Sequence, residues 1–387
     1  MCPWQETNAG TKLLPYSIVS RIFLVTLSLC ALTADLLMYS HTWNTTDEPK
    51  IPLALVAGLF ILTEVLVTIY GSVFSLRSKH LPAIMDELRR RVESVPLVVR
   101  TLRCCCVWYT VCFNGFLVIL TYITVQRYQN VWYQKEVIFG FEFYSVYGLV
   151  LQTALLHGIS AVALAFSGSF VILAVTLGSA FRQIGYEYEA HYRMYKTDRI
   201  DFQELTAGIT KGRHEHLALS DIVRRLDTIY APSSLVSLIL EVLLVVILVD
   251  IVIGVTPSKI GYMFTNNTTD LLLCSLMALA NLFLLIQRIT AAAYTHTQAH
   301  SVVVILRTMS EELGSKIDGL EVLINRTMRR IHDCPVVFTA GNIFTLNTEL
   351  ILSVSGILIT YVLVLYEMNS KDDRHYMLPC NCTTKFP

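Results

Sequence analysis

The chain has 387 residues, 30 basic against 30 acidic side chains, 54% hydrophobic and only 16% charged residues, and a mean hydropathy of +0.54. Soluble domains carry nearer a quarter charged residues, so this balance excludes a disordered chain, a nucleic-acid binder with a basic footprint and a small disulfide-stapled secreted domain. A polytopic membrane protein remains, with room for several spans and no large soluble domain.

A span needs about 20 largely apolar residues, because a helix rises about 1.5 Å per residue across about 30 Å of hydrocarbon. Seven stretches qualify in chain order: residues 18–40, 51–76, 104–126, 147–181, 235–255, 271–294 and 349–366. The fourth is longer than a bilayer needs and is expected to tilt or project into water. The first, in which residues 22–34 end in Leu32-Thr33-Ala34, also has the outline of a signal peptide, but its apolar run continues through residues 36–39. No pattern of short alternating strands appears, so every element reads as helix. The expected fold class is an all-α membrane protein with seven transmembrane helices.

Lys and Arg set the orientation. Seven lie between spans two and three, among them Arg89, Arg90, Arg91, Arg100 and Arg103; eight lie between spans four and five; and six, counting Arg288, lie between spans six and seven. With Lys12 and Arg21 the split is 23 on one side against 7 on the other, which puts the N-terminus in the cytoplasm and the C-terminus outside. Four sequons (Asn44, Asn266, Asn267 and Asn381) fall on the external side, where glycans can be added, and Asn325 falls inside.

This divides the chain into spans one to four (1–181), a cytoplasmic helical extension (182–230), spans five and six (231–294), a second cytoplasmic extension expected to act as an anchor (295–347), span seven (348–368) and a short external tail (369–387). The two extensions are not linkers. Leu217, Ile222, Val223, Leu226 and Ile229 recur at helical steps, and so do Val304, Leu306, Leu313, Ile317, Leu320, Leu323 and Ile324. Asp221 with Arg225, and Glu312 with Lys316, are i,i+4 pairs suited to an exposed face. Such helices pack on one another, on neighbouring subunits or on the membrane surface.

Residues able to carry chemistry are few. His296 and His300 share a helix face and His214 and His216 add two more, yet no glutamate sits within the His-x-x-x-His, so the pattern is weak for a metal. No cofactor, metal or catalytic centre is expected. Cys104-Cys105-Cys106 stands at the cytoplasmic mouth of span three beside Arg100 and Arg103, a setting for lipidation or for simple apolar packing. Cys380 and Cys382 lie outside, and their state is open. Ionisable residues within spans (Asp35, Glu64, Glu241, Asp250) are costly and face a bundle interior or a cavity. Toward the outer half, Tyr122, Gln126, Tyr144, Tyr147, Gln152 and Asn281 would line an amphipathic pocket, or form an aromatic belt. The ligand-binding candidates are Tyr122, Tyr147, Gln152, Asp250 and Asn281.

Span seven reads Thr360-Tyr361-Val362-Leu363-Val364-Leu365-Tyr366-Glu367-Met368. With an internal N-terminus, seven spans and a very short external tail, it resembles the insect gustatory receptor family, whose signature is Thr-Tyr, five hydrophobic residues, then Gln-Phe. The last two places differ, with Glu367 for Gln and Met368 for Phe. The resemblance implies a plasma-membrane, tastant-gated, non-selective cation channel passing sodium, potassium and calcium, assembled as a homotetramer or with related receptors. It implies that span seven lines the pore, through Gly356, Thr360, Tyr361, Leu363, Val364, Glu367 and Met368. It also implies that spans two to six enclose an outward-facing ligand pocket and that the cytoplasmic extensions tie subunits together. A transporter, or a receptor-like membrane protein without ligand, is the competing reading; internal repeats and midplane Gly/Pro breaks, which transporters often show, are lacking.

Overall fold

The computed structural model describes residues 80–93, 95–129, 135–138, 141–253, 268–313 and 319–375. The two N-terminal spans, the four external sequons, Asp35, Glu64, Cys380 and Cys382 lie outside the described residues.

The described chain is helical almost throughout. A short α1 (Leu81–Val92) precedes α2 (Pro96–Gln129), followed by strands β1 (Lys135–Ile138) and β2 (Phe141–Tyr144), then α3 (Ser145–Lys196), α4 (Phe202–Ile253) and α5 (Thr268–Leu313). A further short helix, α6 (Leu320–Asp333), strands β3 (Thr339–Ala340) and β4 (Phe344–Thr345), and α7 (Thr348–His375) complete it. The two antiparallel hairpins correct the all-helix reading. The first pairs Lys135 with Tyr144 and Ile138 with Phe141, in a stretch rich in β-branched and aromatic residues that loop polarity had masked.

The helices α3 and α4 have 52 residues each and α5 has 46. At about 1.5 Å per residue these reach about 70–80 Å, more than twice a bilayer's hydrocarbon. Each of the three therefore continues well past the stretch read as a span. Their ends are encoded locally. At the end of α3, Asp198 adopts a left-handed backbone (φ 51°) and Arg199 N donates back to Met194 O at 2.9 Å, a Schellman-type stop. Asp201 then caps α4, its Oδ1 accepting from Glu204 N at 2.7 Å.

The core lies where the three long helices run together. Leu177, Phe181, Ile209, Ile222, Leu226 and Leu306 are fully buried there, so much of the apolar periodicity of the extensions is spent on mutual packing, although Val304 is exposed and Ile317 lies outside the described residues. The helix α3 packs along α5 most extensively. At Gly178 a Cβ would come within 2.5 Å of the Tyr294 ring, so only glycine admits this approach, and beside it Thr295 Oγ1 donates to Ala174 O at 2.7 Å. His216 is buried in the same seam with its Nε2 3.2 Å from Ala299 O. Burial lowers its pKa to about 4, so the ring is neutral at physiological pH.

Polar contacts trim the outside. Arg225 bonds Glu87 of α1 at 2.6 Å and Asp221 at 3.0 Å, the latter being the i,i+4 pair expected from sequence. The guanidinium holds the Glu87 carboxyl below the ordinary range. Glu312 bonds across helices to Lys196 at 3.0 Å and to the Tyr192 hydroxyl.

Candidate pore helix and its support

The helix α7 starts at a side-chain cap: Asn347 Oδ1 accepts from Leu350 N at 3.1 Å, and Glu349 places a negative charge in the first turn. Two faces then diverge. Ile351, Val354 and Leu358 pack against the molecule, Val354 being buried, and the half-buried Tyr361 continues their face at steps of three and four. The opposite face carries Gly356, Thr360, Leu363, Val364 and Glu367, all exposed, with Leu352 and Ile357 beside them. A Cβ at Gly356 would meet nothing within 4 Å, and Thr360 turns its hydroxyl back to Gly356 O at 2.8 Å. Five of the seven pore candidates therefore share one outward stripe. Tyr361 lies half-buried on the packed face, and of Met368 the backbone alone is described.

What holds the base of α7 is the β3–β4 hairpin. Thr339 N and Thr339 Oγ1 both donate to the Asp227 carboxylate of α4, at 2.6 and 2.9 Å. Gly341 N donates to Ala231 O at 2.7 Å, and Leu346 N to Phe338 O at 2.9 Å. Gly341 is left-handed (φ 64°) and its missing Cβ would meet Leu235 at 2.5 Å, so the turn rests directly on α4 beside Pro232. Phe338 stacks edge-on against Phe170 of α3 at 5.0 Å, and His296 of α5 bonds Val336 O through Nδ1 at 2.9 Å. All three long helices thus grip the segment joining α6 to α7. The burial of Asp227 raises its carboxyl pKa, opposed by the two Thr339 hydrogen bonds.

Further along the spans lies a buried ion pair. Arg288 of α5 bonds Glu241 of α4, and Ser237 completes a triangle, accepting from Arg288 Nη1 at 2.8 Å and donating to Glu241 Oε1 at 3.1 Å. The side chains are 4% and 9% exposed. This corrects the charge count made from sequence, which took Arg288 with the loop although the sixth span, 271–294, contains it: the side chain is buried and compensated by Glu241. Two opposite charges in adjacent apolar spans were the signal that could have found the pair.

A small crevice of about 80 Å³ separates α2 from α5 on the same level. Tyr109 and Gln287 bridge it by a hydrogen bond of 2.8 Å, and Trp108, Cys112 and Phe116 line its α2 wall.

The ligand candidates are not drawn together by what is described. Tyr122 projects from α2 and is exposed, and Asn281 is half-buried on α5. Tyr147, Gln152 and Asp250 fall on α3 and α4, of which the backbone alone is described there. His296 and His300 stack with ring centres 4.4 Å apart, and burial lowers the pKa of His300. Among the described residues no group of three His, Cys, Asp or Glu side chains is placed to hold a metal.

Comparison with solved structures places this architecture. The insect olfactory receptor OR5 from Machilis hrabei, in complex with eugenol, superposes with a TM-score of 0.67 over 95% of this chain and 93% of that one, at 12% identity. A second structure of the same receptor gives 0.67 over 94% of this chain and 92% of that one, at 14% identity. At such identities the likeness is one of fold: a predominantly helical, seven-span, multi-pass membrane protein. No curated protein sequence matches significantly. A profile of the 7tm chemosensory receptor family, a family of receptors rather than enzymes, matches residues 1–367, and the chain belongs to that family.

Proposed function

We propose that the protein is a gustatory-type receptor that acts as a ligand-gated, non-selective cation channel, with four copies each contributing α7 to a central pore. The observation that carries this reading is the outward stripe on α7. Gly356, Thr360 and Glu367 stand in line with Leu363 and Val364, so a small and polar stripe interrupts an exposed, otherwise apolar face of α7 turned away from its own core. A membrane helix with such a face needs a water-filled lumen or a partner helix beside it. The gustatory assignment rests on Thr360-Tyr361 followed by five hydrophobic residues.

In this reading the hairpin clamp transmits movement of α3, α4 and α5 to the base of α7. A tastant enters from the outer half, toward Tyr122, Tyr147, Gln152, Asp250 and Asn281. The neighbour's eugenol is a small aromatic molecule, of a kind that the tyrosines among these residues would suit. The positive-inside split supports a cytoplasmic N-terminus, with glycans at Asn44, Asn266, Asn267 and Asn381.

Four Glu367 carboxylates around one axis repel unless they share protons or a cation, and such a ring concentrates cations. Planar recording from cells expressing the chain, with tastant and odorant panels, tests the channel. Ligand-evoked, cation-selective current is expected. Glu367→Gln is expected to weaken block by external calcium. Unchanged calcium block in that variant would remove Glu367 from the permeation path, and absence of current from surface-expressed protein across both panels would overturn the channel reading.

A further inference from the structure

The three consecutive cysteines of α2 are not used by the channel reading. Cys104 is exposed and Cys105 and Cys106 are half-buried, and none of the three is in a disulfide. They follow Arg103 directly and Arg100 by one turn, where the basic start of α2 meets the apolar run read from sequence as the third span. Arginines at that level hold a helix at the phospholipid headgroups.

What lies below them is the second observation. Positions 105, 108, 109, 112 and 116 share one face of an α-helix. The last four form the α2 wall of the crevice against α5, whose own wall includes Phe283 and Leu284. Trp108 and Phe283 are 57% and 47% exposed, so the crevice is open along its side. Cys105 therefore stands one turn before this open apolar groove, whose α2 wall extends over about two turns from Trp108 to Phe116. Next to it, Cys104 heads a second stripe of exposed apolar residues, Val107, Val111 and Val118.

We propose that Cys104–Cys106 is an S-acylation site, with the acyl chain on Cys105 lying in the groove between α2 and α5. The donor is a long-chain acyl-coenzyme A. The cysteine thiolate attacks the thioester carbonyl, a new sulfur–carbonyl bond forms, and the bond to the coenzyme A sulfur breaks. Coenzyme A leaves as its thiol, taking up the proton that the cysteine lost, and nothing is oxidised or reduced. The chain covers Phe283 and Trp108, which otherwise meet solvent or lipid edge-on, and pins α2 against α5 beside the Tyr109–Gln287 bond.

The site rests on the orientation proposed above, since acyl-coenzyme A is cytoplasmic. The test uses the full chain in insect cells, with hydroxylamine-dependent exchange of thioester-bound acyl groups for a mass tag and an N-terminal epitope stained before and after permeabilisation. A hydroxylamine-dependent shift that disappears in C104S/C105S/C106S is expected. Retaining Cys105 alone (C104S/C106S) should keep more of the shift than retaining Cys104 alone (C105S/C106S). No tag on surface-expressed protein whose epitope stains only after permeabilisation overturns acylation and leaves the orientation standing. An epitope that stains on intact cells overturns both. Equal tagging of the two single-cysteine proteins overturns the role of the groove.

Discussion

The helices α2 and α3 are both long and apolar enough to cross a membrane, yet they are used in opposite ways. In the most apolar stretch of α2 no residue is buried, against 72% in that of α3. The difference lies in the partners rather than in hydrophobicity. The helix α3 carries glycines and small residues that let α5 approach to van der Waals contact, as at Gly178. The helix α2 offers Trp108, Val111 and Val118 outward instead. The pore-candidate helix α7 behaves like α2 on one face and like α3 on the other. An exposed apolar face is thus an invitation to lipid or to another subunit, and the buried seam is where single substitutions should cost most.

The largest effect is expected at the polar centre of that seam. Glu241→Ala leaves Arg288 buried without its counter-charge, and the loss should be about 3–5 kcal/mol, as for other broken buried pairs. Arg288→Ala should cost a similar amount. Replacing both, as Glu241→Leu with Arg288→Met, should recover most of the loss, because an apolar pair of similar volume needs no compensation. Thermal unfolding of the solubilised protein, followed by gel filtration, reads all three. A double variant no better than either single one would show that the pair does more than neutralise itself.

Acid should act on the same seam through His216. Its pKa is about 4 in the folded protein against about 6.5 when exposed, because burial disfavours the imidazolium. A base whose folded pKa is depressed binds its proton more readily when unfolded. Stability is therefore intact above about pH 6.5 and falls as pH drops toward 4, by roughly 3 kcal/mol in full. His300 shifts in the same direction. His216→Gln, which retains a donor toward Ala299 O, should flatten the acid limb of a Tm-against-pH curve. An unchanged limb would move the acid sensitivity to other groups.

How much of this was legible beforehand follows the range of the interactions. The spans, the helical extensions and the α7 stripe are periodicities within one segment, so residues 3 and 4 apart revealed them. The Asp227–Thr339 clamp joins residues 112 apart and the Glu241–Arg288 pair residues 47 apart, and no local pattern carries such pairings. The β3–β4 hairpin was missed because its two-residue strands are too short to show alternation. Arg288 was misplaced because a charge count treats every arginine near a span end as solvated, whereas this one has its partner inside.

The hairpin offers a smaller, sharper test of the buried side of the comparison. Gly341→Ala forces a side chain into a left-handed backbone and against Leu235, and should cost about 1–3 kcal/mol. Asp227→Ala strands the Thr339 amide and should cost about 1–3 kcal/mol as well. If the clamp couples the long helices to α7, both variants should shift the ligand dose-response at matched surface expression. A loss of stability with an unmoved dose-response would make the hairpin a strut alone.

The smallest expected effect lies at the start of α7, where buried and exposed faces meet. Asn347 satisfies one of the free amides of the first turn by accepting from Leu350 N. Asn347→Ala removes that acceptor and should cost about 1 kcal/mol, while Asn347→Asp should keep it and add a charge favourable to the helix N-terminus. The cap is local, so its loss should fray one turn without touching the seam. Hydrogen exchange measured by mass spectrometry on peptides covering residues 347–355 reads this directly. Faster exchange there, with α3 and α4 peptides unchanged, is the expected outcome for Asn347→Ala. Exchange that quickens in α3 and α4 as well would mean that the base of α7 and the buried seam unfold as one unit, and that the two kinds of helix face are less independent than their burial indicates.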